Sequence, residues 1–244
     1  MNNAPAPHAP ITHRDQKGPT YKGVAIHAPS ELHERACELA LQHFDMAHPI
    51  LELGAGSGAL SLRLSDAGFA VIPVDLDGGD WKPAIPLKLA DFNVEGWHTS
   101  LFPNQHFKHI VALEVIEHLE NPSKFFRDIA ALLEPHGQLI LSTPNIFSFH
   151  SVHAAVKRAE LALFSADDCV SSGHISILPW WLLTHLAQRC GLEIVYCSSV
   201  CDIPVRRHKR MLVHLAKFLR NRLCKPQGID NIDGLNVITV FRKS

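Results

Sequence analysis

No stretch of the chain constrains its fold as tightly as Ile50 to Asp75. Ile50-Leu51-Glu52-Leu53 is an apolar run of strand length, and Gly54-Ala55-Gly56-Ser57-Gly58 follows without a gap. Leu60 to Ala67 then has helical spacing that Gly68 stops, and Phe69 to Asp75 reads as a strand again. Glycines have no Cβ, so the backbone between strand and helix can turn sharply and let a ligand approach. Free N–H groups at the helix start favour negatively charged ligand groups.

The strand and helix alternation continues along the chain. Leu87 to Ala90, Ile110 to Val115, Gln138 to Ser142, Leu192 to Ser199 and Val237 to Arg242 read as further strands. Pro29-Ser30, with Ser30 as the expected cap, opens a helix carrying Leu32, Ala36, Leu39, Ala40 and Phe44. Asn121-Pro122 opens one through Leu133, and Leu178 to Cys190, closed by Gly191, is another. Pro73 inside the second strand predicts a bulge or an early strand end. The pattern predicts an α/β fold: a doubly wound, seven-stranded, mostly parallel, Rossmann-like sheet with helices on both faces. Residues 1–20 hold four prolines and little periodicity and read as a flexible arm, leaving 21–244 as one domain. Two stretches, about 147–173 and 202–234, exceed ordinary connections and are expected to reach the rim where open sheets bind ligands.

Composition narrows the partners. A chain of 244 residues that is 46% hydrophobic can bury a substantial core, which excludes disorder and fibrous folds. Lys and Arg number 23 against 24 Asp and Glu, so no global field favours nucleic acid, and none is expected as a partner. Without a signal pattern or a long apolar run, the chain reads as soluble and cytoplasmic. Six scattered cysteines with no CxxC predict reduced structural thiols, and no metal site is expected.

The glycine loop alone fits two readings. As G-x-G-x-x-G/A with Ala59 last and Asp75 holding a ribose, it fits an NAD(P)-dependent oxidoreductase. With Glu52 two places before the first glycine, G-x-G-x-G resembles the first motif of class I S-adenosylmethionine (SAM)-dependent methyltransferases. Downstream segments extend that second resemblance. Asp91-Phe92 follows the third strand, and Leu113-Glu114-Val115-Ile116-Glu117-His118 follows the fourth. Leu132-Leu133-Glu134-Pro135-His136-Gly137-Gln138 runs on to Ser142-Thr143-Pro144-Asn145. These are similar to the motifs of the branch that holds the ubiquinone-biosynthesis O-methyltransferases and other small-molecule methyltransferases. Glu134 and His136 stand where that branch usually has Lys and Gly. The absence of Asn/Asp-Pro-Pro-Tyr/Phe after the fourth strand argues against DNA bases and glutamine as acceptors.

The resemblance implies SAM as cofactor, held by Glu52, Gly54, Ala55, Gly56, Gly58, Asp75, Leu76, Asp91, Phe92 and Glu114, with Asp75 on the ribose and Asp91 on the adenine. It implies a small-molecule acceptor, with a hydroxyl of a glycan, quinone-type compound or secondary metabolite first in line. The two long insertions would then form an acceptor-side cap. His118 and His174 are the expected candidates for the base that takes the hydroxyl proton, and methyl transfer without any base is the third option. A SAM-binding protein without catalysis also fits. Arg206 to Lys225 carries eight Lys/Arg, no acid, and apolar residues on one helical face. It suits an anionic membrane surface or a phosphorylated acceptor, and equally a cap helix packed on its own domain.

Overall fold

The computed structural model describes residues 18–201, 229 and 231–244. Most of the expected arm, and the whole of the basic stretch 206–225, lie outside the described residues.

A small hairpin of β1 (Thr20–Tyr21) and β2 (Val24–Ala25) leads into α1 (Ser30–His43). The alternating core follows as β3 (Ile50–Leu53), α2 (Ala59–Asp66), β4 (Val71–Asp75), β5 (Lys88–Leu89), α3 (Trp97–Leu101) and β6 (Phe107–Leu113). A single 3-10 turn, Ile116–His118, precedes α4 (Pro122–Leu132) and β7 (Leu133–Pro144). Then come α5 (Phe149–Arg158), α6 (Ala166–Ser171), α7 (Trp180–Arg189), β8 (Leu192–Val200) and β9 (Asn236–Lys243). The seven-stranded sheet has the order β5-β4-β3-β6-β7-β9-β8. β5, β4, β3, β6 and β7 run parallel, whereas β9 is antiparallel to both β7 and β8. The chain winds outward from β3 to β5 and then returns to β6 on the other side, so β3 and β6 flank the topological switch point where open sheets bind ligands.

Alternation along the central strands explains the two-sided cover. Leu51, Leu53, Ile110, Ala112, Leu139 and Leu141 share one core with Phe125, Phe126 and Ile129 of α4 and Leu183 of α7. Ile50, Val111, Leu113 and Ile140 point the other way and pack with Leu32, Leu39 and Leu64 of α1 and α2. Strands buried on both faces read as continuous apolar runs, which is why they stood out in the sequence.

The elements differ from expectation in instructive places. Ser30 is the first helical residue of α1 and Pro29 the cap, whereas Asn121 caps α4 as expected, accepting from Lys124 N–H at 2.9 Å. Pro73 causes no bulge, because β4 keeps regular register with β3 through the pair Glu52 and Pro73. Val74 bonds toward β3 and Asp75 toward β5, so the donor that Pro73 lacks would have pointed to the β5 side. β5 spans only Lys88–Leu89 and begins level with Val74, one residue past Pro73, so no strand partner is deprived. The β1–β2 hairpin, α3, α5 and α6 were not read from the sequence at all. The last two fill the first insertion, and each starts at a serine whose hydroxyl accepts a helix N–H, Ser148 from Ser151 and Ser165 from Asp168.

Candidate active site

The glycine loop caps the carboxyl end of β3 and is held by backbone. Gly54 and Ala55 donate to Val74 O at 2.9 and 3.1 Å, Gly58 donates to Ala55 O at 2.9 Å, and Gly56 N–H donates to an Asp75 carboxylate oxygen at 2.7 Å. Two positions require glycine for space as well as for their left-handed backbone. A Cβ on Gly54 (φ +78°) would sit 2.2 Å from Val115 Cγ2, and one on Gly58 (φ +91°) 2.4 Å from the Pro83 ring. Close packing thus joins the β3 loop to the β6 loop at the switch point. Gly56 is the open one, with only the His27 ring at 3.6 Å from a notional Cβ. Glu52 is 2% exposed beneath the loop and accepts the Ser61 hydroxyl. Burial pushes its pKa up to about 8, opposed by the Ser61 hydrogen bond and reinforced by the Asp75 charge.

Asp75 ends β4 with both oxygens on backbone donors, Gly56 N–H and Leu76 N–H at 2.7 Å each, so it ties its own strand end to the glycine loop. Oδ2 keeps a further lone pair, while Oδ1 also accepts Asp77 N–H at 3.5 Å. The Leu76 side chain beside it is exposed. After β5, Asp91 accepts Asn93 N–H at 2.8 Å, while the Phe92 ring turns into the core against Trp97 and Phe125. That loop hangs on a buried cation: Lys124 Nζ donates to Phe92 O, Val94 O and Asp128 at 3.1, 2.9 and 2.7 Å. Asp128 also accepts Trp97 Nε1 at 2.8 Å. Asp91, Asp75, the glycine loop and Glu114 therefore follow one another along the carboxyl edges of neighbouring strands.

Glu114, in the left-handed region at φ +53°, accepts Ser142 Oγ at 2.7 Å on one oxygen and Asn236 Nδ2 on the other. Burial raises its pKa to about 7, against both hydrogen bonds. Three residues on, Glu117 is fully buried and accepts Thr143 Oγ1 at 3.2 Å on Oε2. Its pKa is raised well above the usual carboxylate range by burial and by the neighbouring Glu114 charge. His118 and His174, distant in sequence, meet with ring centroids 4.9 Å apart in a T-shaped arrangement. Burial, with the neighbouring His174, lowers the His118 pKa to about 4 against the pull of the Gly173 and Ser172 backbone, so its ring is neutral at physiological pH. The segment just after His174 is pinned to the 3-10 turn: Ile175 and Ser176 N–H donate to Glu117 O at 3.0 and 2.9 Å, and Ser176 Oγ donates to Leu119 O at 2.6 Å. Glu117, His118 and His174 each offer a ligand atom, and these atoms all lie within 4.8 Å of one another.

Residues 26–196 match the family described as a methyltransferase domain. The chain belongs to this family. A ubiquinone biosynthesis O-methyltransferase from a Caulobacter species is 31% identical over 103 residues, covering 39% of this chain and 40% of that protein. The chain thus spans well under half the length of that curated relative. Among solved structures, a SAM-dependent methyltransferase from Archaeoglobus fulgidus superposes with a TM-score of 0.61 at 12% identity, covering 87% of this chain and 94% of that one. Magnesium protoporphyrin IX methyltransferase from Synechocystis, with bound S-adenosylhomocysteine (SAH), gives 0.56 at 14% identity over 88% of this chain and 83% of that one. The likeness establishes the class I fold, and the family decides the glycine loop in favour of methyl transfer over nicotinamide chemistry.

Sequence reading missed Glu117 as a member of the site and treated His118 and His174 as alternatives. The structure assembles all three. The available signal was the Glu117-His118 dipeptide directly after an apolar strand, which places both at the rim.

Proposed function

We propose that this methyltransferase moves the methyl group of SAM onto a hydroxyl oxygen of a small-molecule acceptor. The observation that carries the reading is the position of the Glu117, His118 and His174 cluster, one turn beyond the Val115 that touches Gly54. In this reading the cofactor lies across the glycine loop with Asp75 on its ribose hydroxyls, Asp91 near its adenine and Glu114 at the rim, and the cluster faces the acceptor. Transfer is in line: an oxygen lone pair forms the O–CH₃ bond while the S–CH₃ pair returns to sulfur, giving SAH, and the hydroxyl proton leaves to water. His118, with its pKa near 4, is too weak a base to do this alone. Shared identity with an enzyme named an O-methyltransferase supports oxygen as the acceptor atom. Residues 147–173 would cap the acceptor, and the basic charge carried by 206–225 would favour an anionic or phosphorylated one.

Calorimetric titration with SAH and with NAD tests the donor half of the proposal, with binding expected for SAH only. SAH formation from SAM over a panel of phenols, catechols and sugar hydroxyls tests the acceptor half. Binding of NAD in place of SAH would overturn the donor assignment. SAH binding without turnover on any hydroxyl would leave a SAM-binding protein without this activity.

A further inference from the structure

Two segments from different parts of the chain meet across the glycine loop. The first is the β1–β2 hairpin with the residues that follow it, and it is fixed to α2. Tyr21 OH and Lys22 Nζ each donate to Asp66 at 2.7 Å, the Arg63 guanidinium carbon lies 4.3 Å from the Tyr21 ring centroid, and the buried Val24 and Ile26 pack on Ala59. Ser57 donates its hydroxyl to Ala25 O, and the His27 ring just beyond stands at Gly56. The second segment is the long connection between β4 and β5. Lys82 N–H donates to Ser57 O at 3.2 Å, and the Pro83 and Trp81 rings stand 2.4 and 2.9 Å from a notional Gly58 Cβ. Before that anchor, residues 76–80 are all exposed, so this stretch is the part of the connection most easily displaced. It carries an Asp80 carboxylate oxygen to 3.9 Å from His27 Nε2.

We propose that His27 and Asp80 form a latch across the glycine loop, with His27 as its fixed post and residues 76–80 as its moving arm, which closes over bound SAM and parts to let the cofactor exchange. The imidazole can donate Nε2–H to the carboxylate, and it forms an ion pair with it when protonated. At 3.9 Å the two atoms stand roughly 1 Å beyond hydrogen-bond length, so a small swing of the arm shuts the latch. The arm leaves from Asp75, which itself accepts Gly56 N–H, so Asp75, the arm, His27 and Gly56 enclose one opening. Gly56 is where the glycine loop is open to a ligand, and a group seated there touches the post. Exposure sets the strength of the closure. Side chains that are 29% and 58% exposed hold one another weakly, which suits a contact made and broken at each exchange. This inference rests on the cofactor lying across the glycine loop and adds how it enters and leaves.

The test follows SAH on the full chain: Kd by calorimetric titration, the dissociation rate by release of tritiated SAH into excess unlabelled SAH, and the association rate as their ratio. The pair is close to contact before any ligand binds, so it resists entry as well as exit. His27→Gln and Asp80→Asn should each speed both association and dissociation about two- to fivefold, the range an exposed ion pair supports, with Kd changed by less than about twofold. The double variant should exchange no faster than either single one, because both changes open the same latch. Asp77→Asn, on the same arm and still able to accept Gly79 N–H, should exchange like wild type. Rates unchanged in both single variants, or effects that multiply in the double variant, overturn the latch while SAH binding upholds the donor assignment. Faster dissociation with an unchanged association rate also overturns it, and makes His27 a plain ligand contact. Failure of the wild-type chain to bind SAH overturns the donor assignment, and the latch falls with it.

Discussion

Along the carboxyl edge of the sheet, the β3–β4 side and the β6–β7 side are made of different materials. On the first, every contact that shapes the site uses a backbone N–H: Gly54 and Ala55 to Val74 O, and Gly56 and Leu76 to the Asp75 carboxylate. On the second they run through side chains from remote parts of the chain: Ser142 and Asn236 to Glu114, Thr143 to Glu117, His118 against His174. Backbone contacts depend on where glycines stand and on strand order, so one scaffold can hold the same cofactor with few side chains specified. Side-chain contacts depend on which residues distant segments carry, and that is where specificity for an acceptor can vary.

The sharpest way to break this comparison is at Asp128, a side chain on which the cofactor side nevertheless depends. Lys124 and Asp128 are buried together, and the lysine holds the Phe92 and Val94 carbonyls beside Asp91. Asp128→Ala leaves the lysine buried and unpaired, for an expected loss of about 3–5 kcal/mol in urea unfolding, whereas the double change Lys124→Met with Asp128→Leu should recover most of it. If the single variant unfolds like wild type, the buried pair does not support the loop. Asp75→Ala comes next. It removes the acceptor for Gly56 N–H along with the proposed ribose contact, and should weaken SAH titration by about 1.5–3 kcal/mol. An unchanged titration would show that the loop holds its shape without Asp75 and that the ribose is bound elsewhere.

How much of this was legible in the sequence follows the same division. The strand, glycine turn and helix of the cofactor side are encoded within about twenty-five consecutive residues, so local pattern sufficed. Pro73 misled because a proline's cost depends on which side its missing donor would face, a matter of sheet topology. Glu117 was missed because a buried carboxylate and a solvated one look alike in a sequence, and His118 was weighed against His174 because nothing local says that they touch. A helix as short as α6, six residues started by a serine cap, has too few turns to show a periodic face.

A third, smaller test concerns pH. His33 of α1 is buried, and burial, with the Arg63 and His27 charges, lowers its pKa from 6.5 to about 4. The unfolded chain therefore binds this proton between about pH 6.5 and 4 while the folded chain does not. The histidine's penalty is absent above pH 6.5 and grows as pH falls, to about 2 kcal/mol near pH 5 and about 3 kcal/mol near pH 4. The difference in stability between wild type and His33→Leu, read by urea unfolding at several pH values, isolates this group from the others. It should shift in favour of the variant as pH falls, and a difference independent of pH would mean that His33 protonates as freely in the fold as outside it.

The smallest effect is expected at His136, far from the chemistry at the amino end of β7. Resembling methyltransferases usually carry glycine there, and the backbone shows why: His136 sits at φ +61°, in the left-handed region that costs a side-chain-bearing residue roughly 1–2 kcal/mol. The neighbouring Gly137 serves space instead, since a Cβ there would lie 2.9 Å from Glu134 O, and it is not at positive φ, so the left-handed conformation falls on the histidine. His136→Gly removes it but adds the greater freedom of glycine in the unfolded chain, about 0.5–1 kcal/mol. The balance is a gain of up to about 1 kcal/mol in thermal or urea unfolding with SAH affinity unaltered. A net loss would mean that the imidazole makes a stabilising contact that outweighs the backbone strain. A change in SAH affinity would mean that this end of β7 communicates with the opposite edge of the sheet, contrary to the separation between scaffold and site that the two sides display.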